Sequence, residues 1–145
     1  MRKLLLLFFL FLFSCGETTV YDLTLTDLKG REVKVEKSRK PLLLYVWTGT
    51  CTGHQEDMKL INEHLSELSK KYRVVSLAVF MKPEDVNKFL QENQIKPKFL
   101  LLTDPEGKIT NVINLVFLPS TVVFDESGKP IKSYPRLPLK ELLRV

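Results

Sequence analysis

Leu42-Leu43-Leu44-Tyr45-Val46-Trp47-Thr48-Gly49-Thr50-Cys51-Thr52-Gly53-His54 is the stretch that decides how this chain is read. Its first six residues are an unbroken apolar run, the mark of a strand covered on both faces. From Cys51 to about Lys71 the pattern turns helical. Met58, Ile61, Leu65 and Leu68 fall three and four apart, with charged residues between them. A buried strand, a tight loop and a cysteine opening a helix form a layout that activates a thiol. The unpaired N–H groups and partial positive charge of a helix N-terminus favour thiolate over thiol. His54 stands three residues after Cys51, on the same helical face.

The remaining elements follow outward from this stretch. Residues 21–25 and 31–35 alternate in period two around Asp27-Leu28-Lys29-Gly30, which predicts an N-terminal β-hairpin with one buried face. Residues 73–80 read as a second buried strand. Lys82-Pro83-Glu84-Asp85 opens a helix with Val86, Phe89 and Leu90 on its apolar side. Residues 99–102 form a third apolar strand, closed by the turn Asp104-Pro105-Glu106-Gly107, and 109–116 read as a short helix. Residues 121–124 and 130–133 flank the hairpin turn Asp125-Glu126-Ser127-Gly128, and 139–145 form a terminal helix. The order predicts an α/β fold, a central mixed sheet with helices on both faces.

The chain has 145 residues, 44% apolar and 27% charged, which is one globular domain's worth with no repeat or low-complexity tract. Its first residues stand apart from the fold. Met1-Arg2-Lys3 is a basic n-region, and residues 4–13 are an unbroken run of Leu and Phe of signal-peptide length. Ser14-Cys15-Gly16 follows, with Leu12 at the third place before the cysteine, and resembles the bacterial lipobox. Phe13 departs from the smaller residue usual there. The expected division is a lipoprotein-type signal peptide over 1–14, a tether over 15–19 and a domain over 20–145. Cys15 would carry lipid and anchor an exported domain on the periplasmic side of the membrane. An ordinary secretory signal with an incidental cysteine is the alternative.

With Cys15 acylated, Cys51 is the one free thiol, a feature worth flagging in an exported protein. A Cys15–Cys51 bridge would require an unprocessed chain. Removing Arg2 and Lys3 with the leader leaves 20 basic against 17 acidic residues, a net +3. Lys and Arg are scattered among Asp and Glu along the sequence. No basic stripe with interleaved aromatics points to nucleic acid.

The motifs, in order, resemble the TlpA-like branch (ResA/TlpA) of the thioredoxin superfamily, exported and membrane-anchored thiol–disulfide proteins. Asp27-Leu28-Lys29-Gly30-Arg31-Glu32-Val33 is similar to that family's opening D-L-x-G-x-x-V hairpin. Trp47 stands in its strand-end Trp place, and Asp57-Met58 where it has E-M. Asp104 to Gly107 is similar to its D-x-x-G turn, Pro119-Ser120-Thr121 to its P-T/S-T segment, and Asp125 to Gly128 to its D-x-x-G hairpin. The resemblance implies a thioredoxin-like fold, a cis peptide bond before Pro119 beside the thiol, and an acid role for Asp57. The departures fall at the site. The family's W-C-x-x-C is here Thr50-Cys51-Thr52-Gly53-His54, so the Trp and the second cysteine are gone, and Lys59 replaces a helix-kinking Pro.

Each site residue carries two readings. Cys51 is a nucleophile, or a relic in a degenerate site. His54 supports the thiolate as an imidazolium, acts as a base or metal ligand when neutral, or is an idle helix residue. Met58 would complete a Cys-His-Met set suited to Cu(I) but also lies on the apolar stripe, where core packing is the plainer role. Asp57 perturbs the thiol or is a solvated carboxylate, and His64 is a partly exposed helix residue. Pro119 borders the substrate or simply begins a strand. Thr48 stands three before Cys51, the spacing of a peroxidase site, although Leu44 occupies the place of the proline that opens that motif. The expected activity is monothiol exchange at Cys51 with a protein disulfide partner or a small thiol, and no cofactor. A copper- or client-binding module without turnover and a one-cysteine peroxidase are the alternatives.

Overall fold

A computed structural model describes residues 17–51 and 53–144. The elements are β1 (Leu25–Thr26), β2 (Glu32–Val33), β3 (Leu42–Trp47), α1 (His54–Glu63), α2 (Leu65–Lys71), β4 (Arg73–Val79), α3 (Pro83–Glu92), β5 (Leu100–Asp104), β6 (Ser120–Phe124), β7 (Pro130–Pro135) and α4 (Leu139–Leu142). All strands join one sheet in the order β2-β1-β5-β4-β3-β6-β7. The three apolar strands β3, β4 and β5 are parallel and central, whereas β6, β7 and the β1–β2 hairpin are antiparallel additions at its two sides.

Strand β3 lies inside the sheet between β4 and β6, with every residue buried, because successive side chains enter opposite, covered layers. Leu42, Leu44 and Val46 face one layer with Val75, Leu77 and Val122. Leu43, Tyr45 and Trp47 face the other with Met58, Ile61, Leu68, Val86 and Leu90. The buried apolar residues of all four α-helices lie in this second layer. The first is closed by two 3-10 turns, Val20–Asp22 and Lys108–Asn111, which supply Val20, Tyr21 and Ile109.

The expected helix over 109–116 is therefore a correction. Only the turn Lys108–Asn111 forms, held because the Asp104 carboxylate accepts the N–H groups of Lys108 and Ile109, each at 2.9 Å. The β-branched pair Val112-Ile113 and the approach to Pro119 disfavour further helix. The helix expected from Cys51 to Lys71 is interrupted at His64 and begins at His54. The first hairpin is shorter than its alternation suggests, since residues 20–22 are taken by the 3-10 turn. The readings that concern Cys15 and the leader lie outside the described residues. Among the described residues, no helix is long and apolar enough to cross a membrane.

Candidate functional site

Cys51 leaves the end of β3 in a turn whose geometry ties it to Thr48. The Cys51 N–H donates to the Thr48 carbonyl at 3.1 Å, and the Thr48 N–H donates to Cys51 Sγ at 3.4 Å. The cysteine thus lies just ahead of α1 and not within it. Gly53 is the N-cap, at φ 83°, a left-handed conformation that glycine adopts without steric cost. Cys51 is half-buried and is the one free cysteine among the described residues. Burial pushes its thiol pKa up, and the Thr48 N–H offsets this only in part.

His54, the first residue of α1, does not face solvent beside the thiol. It is 4% exposed and stacked between two rings, with centroids 5.2 Å from Trp47 and 4.9 Å from Phe89. Neither ring nitrogen has a hydrogen-bond partner. Burial pushes its pKa down, against smaller upward effects of the Cys51 backbone and the Asp57 carboxylate. This is a neutral imidazole filling an aromatic slot, so the expected imidazolium support for a thiolate finds no footing in the geometry.

Asp57 is also buried, at 4% exposure, and is not the solvated carboxylate of the alternative reading. Its Oδ2 accepts the Tyr45 hydroxyl at 2.6 Å, and its Oδ1 lies 3.4 Å from Arg136 Nη2. Burial and the adjoining carboxylate hold the Tyr45 phenol far above its ordinary pKa, so it remains a donor. Met58 is fully enclosed in the core, as the packing reading expects. His64 lies at the break between α1 and α2, 4.0 Å from Glu67, remote from the thiol in the fold as in sequence.

The peptide bond Leu118–Pro119 is cis. Its loop and the Cys51 turn border a groove of about 410 Å³ lined by Thr48, Cys51, Phe80, Val116, Phe117 and Leu118. Three of its apolar walls are open to solvent, with Phe80 at 59%, Val116 at 75% and Phe117 at 48% exposure. Phe80 holds φ 58°, unusual for a bulky residue, and its ring lies over Gly107, where a Cβ would stand 2.3 Å from it.

Arg136 is the site residue that sequence reasoning missed. Its backbone N–H donates to the Pro119 carbonyl at 3.0 Å, and its carbonyl accepts the Thr121 hydroxyl. From φ 57° its side chain turns back over Gly53, where a Cβ would stand 2.2 Å from Nη2. One residue thus joins the Pro119 loop, the mouth of α1 and Asp57. The structure brings Cys51, His54, Asp57 and Pro119 to one end of the sheet, with Arg136 among them.

This fold and site define a thioredoxin-like protein. The chain belongs to the AhpC/TSA family, whose model matches residues 17–131. It is 32% identical over 115 residues to the thiol-disulfide oxidoreductase ResA of Geobacillus kaustophilus, covering 77% of this chain and 64% of that protein. It is 25% identical over 126 residues to ResA of Bacillus thuringiensis, covering 84% of this chain and 70% of the relative. The matched part thus spans a little under two thirds of the Geobacillus relative. Among solved structures, the fold is similar to the pneumococcal exposed lipoprotein thioredoxin Etrx1 at TM-score 0.69 and 20% identity, covering 83% of this chain and 93% of that one. A putative thiol:disulfide interchange protein DsbE from Chlorobium tepidum matches at TM-score 0.69 and 21% identity, covering 88% and 90%.

Proposed function

We propose that this chain is an exported, membrane-tethered, thioredoxin-like protein that performs monothiol exchange at Cys51. The observation that carries this reading is the position of Cys51, in an open apolar groove between the end of β3 and the cis-Pro119 loop. The Cys51 thiolate attacks one sulfur of a partner disulfide, forming a mixed disulfide and releasing the other sulfur as a thiolate. An external thiolate then attacks the partner's sulfur in that mixed disulfide and frees Cys51. The sum is an exchange of thiol partners with no net oxidation, as a site without a second cysteine requires. Its partners are a disulfide-bearing protein and a protein or small-molecule thiol. The naming of the ResA relatives as thiol-disulfide oxidoreductases supports the chemistry, and the leader with Cys15 supports export and the tether.

Because burial raises the Cys51 pKa, its thiolate fraction near neutral pH is small and exchange should accelerate as pH rises. The same fact favours a rival, in which Cys51 captures a client without turnover. The purified full chain, incubated with a disulfide-linked peptide, should form a peptide adduct at Cys51 by intact mass. Adding a small thiol should then release both the peptide and the free protein. An adduct that forms but resists every external thiol would support capture. No adduct at any pH up to about 9 would remove the exchange reading.

A further inference from the structure

The basic residues that look scattered along the chain are gathered by the fold. Strands β3, β4 and β5 are parallel and in register, with Leu42 opposite Arg73 and Val75 opposite Leu100. Their beginnings therefore share one end of the sheet, and each is preceded by cations. Arg39 and Lys40 lead into β3, Lys70 leads into β4, which opens on Arg73, and Lys96 and Lys98 lead into β5. Arg73 is partly buried and the other five are exposed. None of the six has a carboxylate within ion-pair distance among the described residues. Lys40, Arg73 and Lys98 line one cleft of about 270 Å³ that contains no acid. Acidic residues share this end as well: Glu63 and Glu67 on α1 and α2, Glu36 and Glu126, Glu92 paired with Lys88, Glu17 paired with Lys129, and Asp125 held by the N–H groups of its own turn. The thiol lies at the other end, where β3 finishes.

The chain enters the fold at this basic end. The Val20 N–H donates to the Gly128 carbonyl, and Thr19 lies against Gly128, in the turn that follows Phe124. Phe124 is itself paired with Leu42, the first residue of β3. Cys15 is four residues before Thr19, a reach of at most about 14 Å.

We propose that this basic end is a docking surface for anionic lipid headgroups, which seats the domain on the membrane with Cys51 pointing away from it. The proposal rests on the membrane tether of the preceding section. The tether root and the unpaired cations share one end, so a short leash already holds that end near the bilayer. Each exposed Lys or Arg near an anionic surface adds roughly fivefold to partitioning, and the effect is screened by salt. A polyanion such as RNA would meet the same charges, and Tyr72 and the buried Phe99 line the same cleft, but nothing anchors such a polymer beside them.

The test uses the full chain held by its own anchor on phosphatidylcholine vesicles, with or without about one third phosphatidylglycerol, each with a dansyl-headgroup tracer. Trp47, the one tryptophan, lies at the thiol end of β3 and is the energy donor. Seating should lower Trp47-to-headgroup transfer on the anionic vesicles relative to the neutral ones. Half-molar salt, or the triple variant Lys40→Glu/Lys70→Glu/Lys98→Glu, should erase the difference. Equal transfer on both vesicles, or a difference that survives the triple variant, would overturn the proposal. So would charge-dependent binding of a labelled single-stranded RNA with no change in transfer. If the chain fails to float with neutral vesicles, the tether reading fails separately. Flotation on the anionic vesicles, abolished by the triple variant, would then support the surface, and flotation unaffected by it would overturn it.

Discussion

Arg136 Nη2 stands 3.4 Å from Asp57 Oδ1 and 3.5 Å from the Gly53 carbonyl, bridging residues 79 and 83 positions apart. The two partners differ in kind. The carboxylate is buried and already holds the Tyr45 hydroxyl at 2.6 Å, whereas the guanidinium side chain is 55% exposed. The strong contact is therefore the inner one, and the outer ion pair is a solvent-screened closure.

That inequality predicts unequal costs. Arg136→Ala should reduce stability by about 0.5–1 kcal/mol, the range of a screened pair. Asp57→Ala strands a buried phenol and should cost about 2–3 kcal/mol. Urea unfolding of both variants checks this, and equal losses would show that the ion pair carries more than its exposure allows.

Gly53 is constrained twice, by φ 83° and by the guanidinium over its face. Gly53→Ala should cost about 1–2 kcal/mol from the left-handed backbone alone, with a further loss from displacing Arg136. In the Arg136→Ala background the second part should vanish and the first remain. A double-mutant cycle with no coupling would contradict the contact.

His54 provides a pH signature. Its folded pKa lies below the unfolded value of about 6.5, so the unfolded chain binds more protons as pH falls through that value. Stability should therefore decline below about pH 6.5, down to the folded pKa. His54→Phe keeps the stack between Trp47 and Phe89 and removes two unpartnered nitrogens. It should leave stability at pH 7 equal or higher and flatten this part of the pH profile. His54→Ala should lose about 2–4 kcal/mol through the cavity it leaves. Unfolding midpoints between pH 5 and 8 decide the matter.

Cys51 should alkylate slowly near neutral pH, with a rate that keeps rising past about pH 8.5, the ordinary thiol value. His54→Ala opens the slot to water and should lower the Cys51 pKa rather than raise it. Iodoacetamide rates against pH measure both. A plateau already reached at pH 7 would restore the activated-thiolate picture drawn from the helix terminus.

Local pattern carries the reading of β3, β4 and β5, because strands buried on both faces are written in neighbouring residues, whereas the helix expected from Cys51 starts at His54 and the cis bond before Pro119 is legible only through the family resemblance. Contacts across the fold were not legible in that way. Arg136 follows a hairpin and looks like any surface cation until β7 returns it to the Pro119 loop. The basic end is invisible in one dimension because the parallel register brings together residues about 30 positions apart. The enclosure of His54 is not legible either, because the rings that hold it, Trp47 and Phe89, come from two other elements. Val116, the last residue of the short helix expected over 109–116, instead walls the groove beside Phe117.

The most direct test of monothiol exchange is turnover. A disulfide-linked peptide and an isotope-labelled small thiol would be mixed with catalytic amounts of the full chain, and label entering the peptide disulfide would be followed by mass spectrometry from pH 6 to 9. Monothiol exchange predicts many exchanges per protein molecule, a rate that climbs with pH alongside Cys51 alkylation, and loss of the enhancement in Cys51→Ser. Exchange limited to one equivalent, or an enhancement that persists in Cys51→Ser, would contradict it.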